Sequence, residues 1–142
     1  MFEMTEIAAV AASVDDVWAD LTDASRLAVW IWPARFETEA VVEPAQLGRW
    51  EARSAAVGLA VLGRVTAIEP PHRLRLEWRW EGEAHATDVE LALEDAADAS
   101  TRVTVRHSGF LSADERASHV EGWTNCLQRL VDRYGGAPGS TL

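Results

Sequence analysis

Lysine is absent from this chain of 142 residues, and cysteine occurs once, at Cys126. A single cysteine excludes an internal disulfide, and its spacing from the histidines matches no zinc motif, so the sequence indicates no metal site. The N-terminus lacks the basic start and apolar core of a secretory signal. The longest apolar run, around residues 55–63, is too short to span a bilayer. We therefore expect a cytoplasmic protein.

Basic residues are also scarce. All 13 are arginines, they face 23 acidic residues, and the formal net charge is −10. An acidic surface repels phosphate backbones and anionic lipid headgroups, which disfavours nucleic acid and membrane surfaces as partners. No Gly-rich phosphate loop follows a predicted strand, and the sequence implies no cofactor.

Tryptophan, in contrast, is abundant, with seven residues against one tyrosine. Apolar and charged residues alternate strictly from Leu74 to Trp80, which predicts a strand whose buried face carries Leu74, Leu76, Trp78 and Trp80. Four further indoles stand out, at Trp30, Trp32, Trp50 and Trp123. Such rings either fill a large curved core or wall a cavity for an apolar guest, and both interpretations stay open at this point.

Helix signals flank a long stretch of strand signals. A first strand over residues 6–11 is followed by two short helices, capped by Ser13 and Asp23. The C-terminal helix begins at Ser112 with a capping box and ends at the glycine pair 135–136. We expect one domain over residues 1–136 and a flexible tail over residues 137–142.

Residues 35–109 have a period of two and predict six short antiparallel strands, the first of which carries Phe36 and Thr38. A seven-stranded sheet must cover its apolar face, and the chain offers one helix long enough to do so. The prediction is an α+β fold in which the curved sheet wraps around the C-terminal helix. Such a grip leaves a gap, typically of about 300–1,000 Å³ and mostly apolar.

The order of elements and several short motifs resemble the SRPBCC superfamily and, within it, the family named for the activator of heat shock protein 90 ATPase. The motifs are Trp30-x-Trp32-Pro33, Gly63-x-Val65-x-x-Ile68-x-Pro70-Pro71-x-x-Leu74, the strand from Thr101 to Phe110, and Gly122-Trp123 with Leu127 and Leu130. The resemblance covers residues 3–134. It implies the helix-grip fold shared with START lipid-transfer domains and the birch pollen allergen.

Members of this superfamily bind sterols, lipids or polyketides, cyclise or hydrolyse small molecules, or serve as co-chaperone domains. Fold alone does not choose among these. The eukaryotic activator carries an additional N-terminal domain that the sequence above does not contain, which disfavours a dedicated co-chaperone role. We expect the ligand-binding residues to lie between sheet and C-terminal helix; the candidates are Trp30, Trp32, Phe36, Thr38, Trp78, Trp80, Thr87, His107 and Trp123.

Two histidines are weak candidates for catalysis. Strand parity and a hairpin over residues 95–100 place His107 opposite Thr87 or Val89, with His85 one step beyond. The pair could carry protons at one cavity, or His107 could be a core residue hydrogen-bonded to Thr87 or to a backbone carbonyl. No Ser-His-Asp arrangement or inward carboxylate pair accompanies them.

The remaining reactive side chains suggest no site. His72 and His119 are expected to be solvated, and Cys126 is expected to be an inert thiol far from any cation.

Three hypotheses follow. The first is a protein that binds a hydrophobic or aromatic small molecule, and the second is a cyclase or hydrolase that uses His107 and His85. The third is an interaction module, either a chaperone partner or a homodimer formed through an exposed strand edge.

Overall fold

The computed structural model describes residues 2–135, which form seven strands and three α-helices. In chain order these elements are β1 (Phe2–Val10), α1 (Val14–Thr22), α2 (Ala24–Trp30), β2 (Glu39–Val42), β3 (Arg49–Ser54), β4 (Leu59–Glu69), β5 (Arg73–Trp80), β6 (Thr87–Ala96), β7 (Ser100–Phe110) and α3 (Ala113–Arg133). The predicted tail over residues 137–142 lies outside the described residues.

All three predicted N-caps are confirmed. The side chains of Ser13, Asp23 and Ser112 each accept a hydrogen bond from a backbone N–H in the first turn of α1, α2 and α3, respectively. In α3 the carboxylate of Glu115 also reaches back to accept from the Leu111 N–H at 3.2 Å, beside the bond from the Glu115 N–H to the Ser112 hydroxyl at 3.0 Å. The local sequence therefore fixes where each helix begins.

The seven strands form one antiparallel sheet in the order β1-β7-β6-β5-β4-β3-β2. The sheet is curved, and the inward face of β5 follows the predicted alternation, with Leu74, Leu76 and Trp78 buried. Helix α3 contributes Trp123 and Leu130 to the same core, so the sheet grips this helix. The predicted α+β helix-grip fold is confirmed.

A buried carboxylate joins the helices to one another. Asp20 is fully buried, and its Oδ1 accepts from the Nε atoms of Arg26 at 3.1 Å and Arg133 at 3.2 Å. Its Oδ2 accepts from the Tyr134 hydroxyl at 2.5 Å. These bonds connect α1, α2 and the end of α3, and the arginines compensate for the desolvation of the charge. The sequence analysis did not single out Asp20, although it lies three residues after the buried Val17.

The predicted strand segment that carries Phe36 and Thr38 is wrong at its start. Phe36 lies in a short 3-10 helix, Ala34–Phe36, and Glu37 then adopts a left-handed conformation with φ of 51°. Because that conformation interrupts an extended chain, β2 begins only at Glu39, after Thr38. His85 precedes β6, which begins at Thr87.

A glycine in β4 allows two indoles to meet. Gly63 pairs with Trp50 of β3 on one side and with Trp78 of β5 on the other. The two ring centroids lie 5.8 Å apart. A Cβ at Gly63 would stand 2.4 Å from the Trp50 carbonyl oxygen, so the strand accommodates no side chain here.

None of the helices within residues 2–135 is long and apolar enough to cross a membrane.

Candidate functional site

A cleft of about 680 Å³ lies between one end of the sheet and α3. Its walls come from the segment after α2, the start of β4, the end of β5 and one face of α3. The lining residues are Ile31, Trp32, Pro33, Arg35, Phe36, Gly58, Leu59, Ala60, Trp78, Trp80, Glu81, Glu83, Glu115, Ser118, His119, Gly122, Trp123, Asn125, Cys126 and Arg129. The volume falls in the range that small-molecule sites occupy.

Four indoles form the aromatic part of this wall. Trp32 and Trp80 stack nearly parallel, with centroids 6.3 Å apart and planes tilted by 14°. Trp78 meets Trp80 edge-on at 5.6 Å and contacts Trp123 of α3 at 5.4 Å. Each ring supports the next, so the wall is a continuous aromatic surface drawn from three separate parts of the chain.

Trp78 carries a polar atom that the protein leaves unused. The side chain is 4% exposed, and its indole N–H is buried without a hydrogen-bond partner among the described residues. A buried donor that lacks an acceptor costs free energy. This N–H is therefore available to an acceptor on a bound molecule that can reach it.

His119 lies at the cleft, and the prediction that it is solvated is wrong. Its Nε2 accepts from the Trp80 indole N–H at 3.0 Å, and its Nδ1–H donates to the Glu115 carbonyl at 2.8 Å. These two bonds hold the His119 ring in place, and the ring in turn fixes the orientation of Trp80. A sequence signal existed, because His119 precedes Trp123 by four residues and therefore shares its helix face.

His107 lies behind the indoles rather than in the cleft. It is fully buried, its Nδ1 accepts from the Trp123 indole N–H at 3.0 Å, and its Nε2–H donates to the Thr87 hydroxyl at 2.6 Å. That hydroxyl donates in turn to the Trp78 carbonyl at 3.3 Å. The chain of bonds connects α3 to β7, β6 and β5.

Burial lowers the pKa of His107 to about 3, and the nearby His119 ring contributes to the shift. With its ring neutral and both nitrogens engaged, His107 acts as a structural bridge. This agrees with the interpretation of His107 as a core histidine bonded to Thr87 and leaves no free nitrogen for proton transfer.

The expected pair of His85 and His107 at one cavity does not form. His85 lies in the loop before β6 and does not line the cleft. Its Nε2–H donates to the Gly109 carbonyl at 2.7 Å. The register itself was predicted correctly, since His107 pairs with Val89. The histidine that approaches His107 is His119, with ring centroids 5.0 Å apart.

The other predicted binding residues divide into two groups. Trp32, Phe36, Trp78, Trp80 and Trp123 line the cleft. Trp30, Thr38, Thr87 and His107 do not. Trp30 is 1% exposed and donates its indole N–H to the Asp20 carbonyl at 2.9 Å, so it belongs to the packing between α1 and α2. The Thr38 hydroxyl is buried without a partner among the described residues.

Cys126 and Arg129 form the polar end of the wall. The Cys126 thiol donates to the Ile31 carbonyl at 2.9 Å, and Arg129 Nη2 lies 3.5 Å from its sulfur. The thiol was expected to be far from any cation, and that is wrong. Burial nevertheless raises the pKa of Cys126 to about 11, because desolvation of a thiolate outweighs the nearby guanidinium.

Within residues 2–135, no group of three or more histidine, cysteine, aspartate or glutamate side chains is arranged to hold a metal ion. The cleft offers apolar contact and aromatic stacking together with guanidinium, carboxylate, hydroxyl and amide groups of its lining.

The model for the family described as Activator of Hsp90 ATPase homolog 1-like protein matches residues 11–135. No curated protein is significantly similar to the chain in sequence.

Several solved structures share the fold. DynU16, from the dynemicin biosynthetic locus, is 24% identical with a TM-score of 0.78; the match covers 92% of this chain but 46% of DynU16, so the chain spans about half of that protein. CalU16 from Micromonospora echinospora is 24% identical with a TM-score of 0.71, over 94% of this chain and 76% of CalU16. PFC0360w, an HSP90 activator from Plasmodium falciparum, is 17% identical with a TM-score of 0.77, over 95% and 97% of the two chains.

Proposed function

This chain belongs to the family of Activator of Hsp90 ATPase homolog 1-like proteins, and on that premise we propose that it binds an apolar, aromatic small molecule in the cleft between the sheet and α3. The observation that carries the proposal is the continuous wall of Trp32, Trp80, Trp78 and Trp123 around an open space of about 680 Å³. A core built only for stability would close such a space, because voids cost packing energy.

Stacking is the interaction that this wall supplies best. A flat guest that covers an indole face gains its apolar burial together with the preferred geometry of aromatic pairs. Trp80 is the indole best suited to stack on a ligand, because its ring is half-buried and its N–H already donates to His119. The orientation of the ring is therefore set before any ligand arrives, which lowers the entropic cost of binding.

Binding without turnover is the simpler form of this proposal. The one histidine in the cleft wall, His119, has both ring nitrogens engaged, and His107 and His85 lie outside the lining. A proton carrier needs a free nitrogen within reach of the substrate. The buried thiol of Cys126, with its raised pKa, is likewise a poor nucleophile.

Gly122 gives a direct test of the cleft. This residue lines the cleft on α3, and a Cβ placed on it meets nothing within 4 Å. Gly122→Phe should therefore fill the space while the helix stays intact, and Gly122→Ala should add a methyl group and favour the helix slightly. We expect Gly122→Phe to weaken the binding of pyrenebutyramide, an uncharged aromatic probe, by about tenfold or more, measured by titration calorimetry.

Gly122→Ala is the matched control and should bind with nearly the wild-type affinity. Circular dichroism and thermal unfolding should show both variants folded. If the wild type does not bind aromatic probes at all, or if Gly122→Phe binds them as well as the wild type does, the cleft is not the ligand site.

A further inference from the structure

The cleft wall combines aromatic and apolar residues with polar and charged ones, and one of the charged groups is placed unlike the rest. Resting on the proposed function, we infer that the aromatic ligand carries a carboxylate, and that this carboxylate binds the guanidinium of Arg129.

Arg129 is held in position from one side only. Its Nε donates to the Trp30 carbonyl and its Nη2 donates to the Ile31 carbonyl, both at 2.9 Å. These bonds fix the plane of the guanidinium at the end of α2, and the side chain also lines the cleft. The Nη1 group makes no hydrogen bond to the described residues, so an edge of the guanidinium is left for a partner.

A counter-ion is missing from this arrangement. No carboxylate within residues 2–135 lies within 4.0 Å of the Arg129 nitrogens, although eight other arginine–carboxylate contacts meet that limit. Arg129 is partly buried, and its neighbours are two neutral carbonyls and a protonated thiol. A desolvated guanidinium in such a place favours an anion, and a planar carboxylate matches its geometry.

The carboxylates of the cleft lie elsewhere or already have partners. Glu115 lies at the opposite end of the α3 wall, 14 positions from Arg129, or about 21 Å along the helix axis. Glu81 is paired with Arg53 through bonds of 3.0 and 2.8 Å, and its pKa is lowered by them. Glu83 is exposed. Along α3 itself, the cleft therefore runs from the carboxylate of Glu115 to the guanidinium of Arg129.

The same geometry sets the shape of the ligand. Trp123 precedes Arg129 by six positions on α3, which corresponds to about 9 Å along the axis. Trp80, Trp123 and Arg129 line the same cleft, so a ring system that contacts the aromatic wall can direct an acid group on its side chain toward Arg129. Because the chain carries a net charge of −10, its overall field repels anions, and any preference for one must come from a local cation.

The test compares two probes that differ in charge alone, pyrenebutyrate and its amide pyrenebutyramide. Titration calorimetry on the wild type should give an affinity about tenfold higher for the carboxylate. In Arg129→Gln the ratio of the two affinities should fall to about one. The matched control is Arg35→Gln, which removes the other, exposed guanidinium of the lining and should leave the ratio unchanged.

The ratio of the two affinities separates recognition of the charge from the structural contribution of Arg129 to the end of α2. A structural change at that end would alter the affinities for both probes alike. Should Arg129→Gln fail to fold, Arg129→Lys keeps a cation but lacks the fixed, planar Nη1 donor group, and it should retain only part of the ratio of the two affinities.

Equal affinities of the wild type for both probes would overturn the inference and leave the proposed function intact. Loss of the ratio in Arg35→Gln instead of Arg129→Gln would also overturn it. Failure of both probes to bind would remove the proposed function itself.

Discussion

At the scale of single residues, two histidines fix the orientation of two indoles in the cleft wall. His107 accepts from Trp123, and His119 accepts from Trp80, so each histidine fixes one indole of the wall. Burial together with the proximity of His119 keeps His107 uncharged, with a pKa of about 3. The cleft wall is therefore preorganised by hydrogen bonds that lie behind it.

The low pKa of His107 predicts a specific acid sensitivity. An unfolded histidine has a pKa of about 6.5, so between about pH 6.5 and pH 3 the unfolded state binds a proton that the folded state does not. The contribution of this residue to stability is complete above that range and falls as the pH is lowered, by up to about 1.4 kcal/mol per pH unit. Urea denaturation at several pH values should show this slope in the wild type.

The matched variant is His107→Gln, which keeps a hydrogen-bonding amide but does not titrate. Its stability should be lower at neutral pH and should depend on pH less steeply than that of the wild type below about pH 6.5. If stability depended on pH with the same slope in both proteins, the imidazole of His107 would not be the source of the acid sensitivity.

Sequence patterns predicted individual residues where the signal was local. The caps at Ser13, Asp23 and Ser112 follow from side chains that satisfy backbone groups three residues or fewer away. His119 could have been placed near the buried face, because it lies four positions from Trp123 on α3. Arg129 was missed because it lies six positions from Trp123, on a different side of the helix, and its contacts depend on how α3 lies against α2.

At the scale of elements, the alternation of β5 specified the inward face of the sheet, and the register of β6 with β7 followed from one hairpin. The ends of strands were less predictable. Phe36 was assigned to a strand on parity, yet the chain folds it into a 3-10 turn that brings it to the cleft, where its ring lies 6.1 Å from that of Trp32. A two-residue alternation is too short to distinguish these outcomes.

Gly63 should be intolerant of substitution for an element-level reason. A methyl group on Gly63 would meet the Trp50 carbonyl oxygen at 2.4 Å, so β3 and β4 would have to separate. We expect Gly63→Ala to lower the free energy of unfolding by about 1–3 kcal/mol in urea denaturation. The control is Gly122→Ala, where the added methyl group meets open space and stability should be unchanged or slightly higher. Equal stability of Gly63→Ala and the wild type would contradict this account.

At the scale of the whole molecule, the protein has a packed end and an open end. Leu74 of β5 and Leu91 of β6 are direct neighbours and fully buried or nearly so. Leu74 lies four residues, about 13 Å, along β5 from Trp78, where the cleft begins. The packed core and the cleft therefore occupy different stretches of β5.

This separation predicts opposite effects for two substitutions. Leu91→Ala should cost about 2–5 kcal/mol of stability and leave the affinity for pyrenebutyrate nearly unchanged. Trp80→Leu removes a half-buried ring and should cost less stability but reduce the affinity by about tenfold. Unfolding in urea and titration calorimetry on both variants check the pattern. If Leu91→Ala lowered the affinity as much as Trp80→Leu does, the two ends would not be independent.

Arg129 donates to the carbonyls at the end of α2, and the same side chain lines the cleft. An anion bound to Arg129, as inferred above, would therefore also stabilise the chain at the end of α2, because a ligand stabilises the local structure that forms its site.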